Sequence, residues 1–258
     1  MLNYIKSELY RTAHNKSVYV MILITAGLTL LLNVLLWLVN ATTDPGAFAY
    51  GITSYSYSFI VSGPTLYFYM AFLVASVLYE ADRKNGVQKN SIACGITRLQ
   101  MFAGKCAVCL FTCTVGLAVI LGVYIGSASL LLIHSGPVEA ADVLMEIPAV
   151  YLMAAAAGIL AVVLAEVFEK TVVSAVIWFA IMFGIPELLF YLGFKFNSLW
   201  DVAMWMPTNI FKGIGVSMTQ CVTAWDTPDG MLRCLISGAA GIVVFSLVGA
   251  ALLRRKEY

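Results

Sequence analysis

Six apolar runs, each long enough to cross a bilayer, constrain this chain more than any other feature. They lie near residues 18–40, 58–79, 100–126, 147–168, 171–193 and 234–253. A spanning helix needs about 20 apolar residues, because each adds about 1.5 Å towards about 30 Å of hydrocarbon. Within that layer the backbone must satisfy its own hydrogen bonds, so runs of this length are read as helices. The sequence therefore predicts an all-α, polytopic membrane protein with one transmembrane domain over residues 1–258. Composition agrees: 61% of residues are hydrophobic and 11% charged, against about 25% charged in soluble domains. The first fifteen residues hold Lys6, Glu8 and Arg11 and no apolar core, so no cleavable signal peptide is read there. The third run stays apolar to Ile133, which predicts tilt or extension beyond the bilayer, and Pro186-Glu187 interrupts the fifth.

Charge distribution orients the spans. Lys6, Arg11, Lys16, Arg83, Lys84, Lys89, Arg98, Lys105, Lys170, Arg254, Arg255 and Lys256 fall in the segments on one side. Only Lys195, Lys212 and Arg233 fall on the other, which accounts for all 15 basic residues. The positive-inside rule then puts both termini in the cytoplasm. Trp37, Trp200, Trp205 and Trp225 lie at or beyond the outer span ends, as an interfacial belt would. The longest outer connection, 194–233, contains "LWDVAMWMPTNIF". That stretch is too apolar for free solvent and too short to span, so it is read as helical pieces dipping into the outer leaflet. At the N-terminus, Leu2, Ile5, Leu9 and Ala13 share one helical face, while Lys6, Arg11 and Lys16 suit anionic headgroups. An amphipathic helix along the inner surface is expected, with a plain basic flank as the alternative.

Between the second and third runs, residues 77–106 read "VLYEADRKNGVQKNSIACGITRLQMFAGKC". Two acids, Glu80 and Asp82, stand there with five bases, Arg83, Lys84, Lys89, Arg98 and Lys105. Asn85-Gly86 and Gly95 are breakers around "VQKNSIAC", residues 87–94, which is long enough for two helical turns. Thr97-Arg98-Leu99-Gln100 has the spacing of a capping box and would start the next span. A short helix held between two spans can receive a push from a partner and pass it to both.

Glu80, Gly86, Thr97-Arg98 and Lys105 stand in an order that resembles the link between spans two and three of type-2 ABC exporter permeases. The layout, an interfacial helix, six spans and a long outer loop before the sixth, is similar as well. In size and layout the chain resembles small permeases of antimicrobial-peptide and lantibiotic immunity and export systems, which are bacterial. The resemblance implies a permease paired with a second copy or a sister chain and clamped by cytoplasmic ABC ATPase subunits. ATP and Mg would be used by those partners, with no cofactor or metal bound by this chain and no nucleic acid involved. A hydrophobic or amphipathic substrate, foremost a peptide, would be moved outward. The coupling contact would fall on Glu80, Arg83, Lys84, Gly86, Lys89, Ile92, Thr97, Arg98 and Lys105.

Other features of the sequence bear on this reading. "GAFAYGIT", residues 46–53, has phosphate-loop glycine spacing, but Ile52 stands where the essential lysine belongs, so ATP hydrolysis must come from another chain. Glu187 is an acid inside an apolar run, where a charge costs about 2.5–3.5 kcal/mol. With Pro186 it reads either as part of a substrate path or gate, or as a wet turn ending the span. Glu166 and Glu169 flank the inner turn to Lys170 and are expected to be solvated. Cys106 and Cys109 match a redox pair by letters only and are expected to pack. No disulfide is expected between Cys221 and Cys234, and Gly122 with Gly126 would permit a close helix contact. An ion- or proton-coupled secondary transporter usually carries paired broken helices and more buried acids. A membrane enzyme would need convergent polar motifs that this sequence lacks.

Overall fold

The structure, a computed structural model, describes residues 2–42, 50–84, 95–168, 170–212, 221–227 and 229–255. The chain is all-α. The helices are α1 (Leu2–Ala13), α2 (Lys16–Thr42), α3 (Thr53–Val61), α4 (Thr65–Lys84), α5 (Arg98–Leu131) and α6 (Ala140–Val167). They continue with α7 (Thr171–Phe179), a π-helical turn (Ala180–Gly184), α8 (Ile185–Gly193), α9 (Asn197–Met204), α10 (Pro207–Ile210) and α11 (Gly230–Arg255). Among the described residues there is no strand, only a parallel bridge between Ile52 and Ile133.

Five helical segments are long and apolar enough to cross a membrane: α2, α5, α6, the run Thr171–Gly193 and α11. In place of the straight helix expected over 58–79 there is a bent helix pair, which makes a sixth crossing if it is counted as one span. It is α3 followed by α4, bent by 60°. The cause is local, since Ser62-Gly63-Pro64 separates the two ladders and Pro64 has no N–H to donate. The last bond of α3 runs from the Ser62 N–H to the Ser58 carbonyl, and α4 opens with the Phe68 N–H donating to the Pro64 carbonyl. At 34 residues, α5 is about 51 Å long and overshoots a hydrocarbon layer of about 30 Å. The apolar run to Ile133 is thus met by one continuous helix to Leu131, long enough for either tilt or extension past the layer.

Pro186 does not end the fifth span. In a regular helix its ring would press on the carbonyl four residues earlier, at Met182. The π-helical turn Ala180–Gly184 sits at that point, widens the backbone and lets the helix continue into α8.

The centre of the bundle is α6, most of whose residues from Ala149 to Glu166 are buried. Its alanine run, Ala154 to Ala157, lets neighbours approach closely. A Cβ at Gly238 would lie 2.6 Å from that of Leu152, one at Gly241 2.9 Å from that of Ala156, and one at Gly249 2.5 Å from Cγ2 of Val163. The backbone of α11 therefore rests directly on α6, and the paired numbers rise together, so the two helices run in the same direction. By contrast a Cβ at Gly122 or Gly126 would meet nothing within 4 Å. The close contact expected of that glycine pair is not made among the described residues. Leu23, Ile24, Leu28, Leu35 and Leu38 of α2 are exposed, as a lipid-facing surface would be.

Candidate functional site

Four elements meet at the end of the bundle that carries α1: α1 itself, the C-terminal end of α4, the first two turns of α5 and the last turn of α6. The face that α1 turns to the bundle is Tyr4, Glu8 and Thr12, spaced i, i+4, i+8, and all three are buried. The expected apolar face of Ile5, Leu9 and Ala13 lies to the side: Ile5 and Leu9 are half-buried and Ala13 is exposed. Close approach is permitted by Gly104 of α5, where a Cβ would stand 2.7 Å from the Tyr4 ring.

What α1 meets is charge. The Arg11 guanidinium contacts both the Glu8 and the Asp82 carboxylates. On its other side Asp82 is 3.0 Å from Nζ of Lys105, which is 3.9 Å from Glu166 and sits 4.2 Å over the Tyr79 ring. Asp82, Lys105 and Glu166 are 2%, 5% and 4% exposed. Removing charges from water costs several kcal/mol each, and only close pairing offsets it. Burial pushes the Glu8 carboxyl above its ordinary range, the Asp82 charge adds to this, and Arg11 opposes it. Between α1 and α4 a cleft of about 540 Å³ opens beside the cluster, lined by Tyr10, Arg11, His14, Lys16 and Leu78 among others.

The sequence-derived site residues separate into three groups. Thr97 caps α5 as expected: its hydroxyl accepts from the Gln100 N–H at 3.4 Å, and the Gln100 side chain accepts from the Thr97 N–H at 3.2 Å. Arg98 opens the helix and Gly95 takes a left-handed φ of 81°, so the break before the span is in place. Gly86, Lys89 and Ile92, with the whole of residues 87–94, lie outside the described residues. Arg83 and Lys84 end α4, and only their backbone is described. Glu80 is exposed, and the helix α4 runs on past it to Lys84. The inward-facing acid is Asp82, two residues later. Lys105 is enclosed by Asp82, Glu166 and Tyr79, so it offers no surface to a partner subunit and acts inside the bundle. Glu166, expected in solvent, is buried there too; Glu169 lies outside the described residues.

Towards the opposite end, Glu187 is partly exposed and paired with Lys212 at 2.7 Å. The acid enclosed by the bundle is instead Glu146, fully buried in α6 just before the run read from the sequence. Its Oε2 accepts from the Ala224 N–H at 3.3 Å and so pins the outer loop to α6. Deeper in the bundle the Asn33 amide donates to the Tyr124 carbonyl (3.0 Å) and the Ser127 hydroxyl (2.7 Å), and its oxygen accepts from Ser56 (2.7 Å). Neither cluster was anticipated, although Asn33 inside an apolar run was a visible signal.

The loop between α8 and α11 is helical in pieces, as expected. Trp200 packs on Phe190 and Phe194, and Gly193 lets α9 approach. Trp205 is exposed beneath the Arg233 guanidinium. Cys106, Cys109 and Cys113 are buried free thiols, and Cys221 and Cys234 are also free. Among the described residues no group of His, Cys, Asp or Glu could hold a metal. No protein-family model matches this chain, and no curated protein matches it either.

Proposed function

We propose that the chain is the membrane-spanning subunit of an ATP-driven exporter, coupled to a separate ABC ATPase through the link between α4 and α5. Its substrate class is hydrophobic or amphipathic, peptides foremost, and it pairs with a second copy or a sister chain. The observation that supports this most is the buried ion cluster. Arg11, Asp82, Lys105 and Glu166 tie α1 to three spans immediately beside the two ends of the link. Force applied to that link would reach α1, α4, α5 and α6 together. The basic excess on the same side supports a cytoplasmic position for this end, where ATP is available.

The test is transport of a fluorescent amphipathic peptide in proteoliposomes, with and without an ABC ATPase co-expressed with the chain. Uptake is expected only with the ATPase and ATP. Gly86→Pro combined with Arg98→Ala is expected to leave ATP hydrolysis running while transport stops. Transport by the chain alone under a proton or sodium gradient would replace this reading with a secondary transporter.

A further inference from the structure

A groove of about 410 Å³ runs along the other half of the bundle, between α6, the π-helical turn, the α9–α10 connection and α11. Its wall on α11 is a single helical stripe: Ile236, Ser237, Ala240, Gly241, Val244 and Phe245. From Ile236 to Phe245 the helix rises about 14 Å, close to one leaflet's share of a hydrocarbon layer of about 30 Å. The groove is open to the side, since Ile185, Ile236 and Val244 are each about half exposed.

Two features select the occupant. Within the stripe Ser237 is the sole polar side chain. An extended peptide threaded there would leave its N–H and C=O groups without partners in an apolar medium, at several kcal/mol per group. A hydrocarbon chain has no such groups to satisfy. The second feature is the head of the stripe. One turn above Ile236 and Ser237, on the same helical face, stands Arg233. Its guanidinium lies 5.5 Å from the ring of Trp205, which itself lines the groove. The nearest acid to Arg233 is Asp229, at 4.0 Å, a loose contact that leaves donors of the guanidinium fork available. The other cation nearby, Lys212, is committed to Glu187 at 2.7 Å. An apolar slot one leaflet deep, headed by an arginine beside a tryptophan, matches a lipid with an anionic headgroup.

We infer that this groove holds one acyl chain of an acidic phospholipid, with its phosphate met by Arg233. The site stands apart from the ion cluster and does not depend on how transport is powered. Occupancy is read by native mass spectrometry of the whole chain, released from nanodiscs of equal phosphatidylcholine and phosphatidylglycerol. The expected result is a phosphatidylglycerol adduct that survives removal of bulk lipid in preference to phosphatidylcholine. Ala240→Phe, which fills the slot, is expected to abolish the adduct. Arg233→Gln, at the partly exposed mouth, is expected to keep an adduct but lose the preference between the two lipids. Should Ala240→Phe fail to fold, Ser237→Phe on the same stripe and Arg233→Gln carry the test. The inference is overturned if wild type retains neither lipid, if the slot-filling variant retains as much as wild type, or if Arg233→Gln leaves the preference unchanged. Retention of an added amphipathic peptide in place of lipid overturns it as well.

Discussion

Lys105 carries an ammonium group that water scarcely reaches, and everything about its surroundings follows from that. A buried cation survives only among carboxylates and ring faces, and Asp82, Glu166 and Tyr79 supply both. Lys105→Met removes the cation and leaves two buried carboxylates short of a partner. A loss of about 3–5 kcal/mol is expected, as for other broken buried pairs, measured as a lower unfolding temperature in detergent. Glu8 gives the cluster a pH dependence. Its carboxyl is raised in the fold, chiefly by burial and then by Asp82. The folded chain therefore binds more proton than the unfolded chain, and stability falls as pH rises from the ordinary carboxylate range through the raised value. Glu8→Gln is expected to flatten that part of a melting-temperature profile, while leaving the alkaline limb in place. Charge near the link was plain in the sequence. Which charges turn inward was not, because Glu80 and Asp82 are two residues apart on a helix and only the packing of α1 decides which of them meets Lys105.

Among the elements, α1 forms where the sequence predicts a helix, but its docked face is one that apolar periodicity does not mark. Its hydrophobic periodicity marked Ile5 and Leu9, yet the docked face is Tyr4, Glu8 and Thr12. Apolar periodicity is a guide when the facing surface is apolar; here it is a carboxylate and a glycine. Gly104→Val would push against the Tyr4 ring, and α1 is expected to detach while the spans stay folded. Faster proteolysis or hydrogen exchange confined to residues 2–13 would register it. The capping box at Thr97 was readable because its chemistry is contained in four consecutive residues. The continuity of the fifth span was not. A proline inside an apolar run reads as a stop, and the widened turn that rescues it has no signature of its own in the residues Ala180–Gly184.

For the whole molecule, the five long apolar helices and the long outer loop were legible from run lengths alone, since the bilayer fixes how many residues a crossing needs. The bundle's contacts were not, because α2, α5 and α6 are apolar on nearly every side and periodicity cannot say which side meets protein. Small residues decide it, at Gly238, Gly241 and Gly249 against α6. The expected orientation can be checked by labelling. In a background without native cysteines, a membrane-impermeant maleimide applied to intact cells is expected to modify Asp229→Cys and to spare Leu99→Cys until the cells are opened. The reverse pattern would invert the assignment of sides.

The bend between α3 and α4 separates two anchorages. Above it, α3 is fastened by Ser56 to Asn33 and by Thr53 to the Ile133 carbonyl. Below it, α4 is fastened by Asp82 to α1 and α5. Only Ser62-Gly63-Pro64 joins them, so this crossing is an elbow rather than a rod. Tyr67, Phe68, Met70, Ala71 and Val74 of the forearm are buried in the bundle, so a torque on it travels with its packing partners, while the joint confines the backbone change to a few dihedrals beside the bolted upper arm.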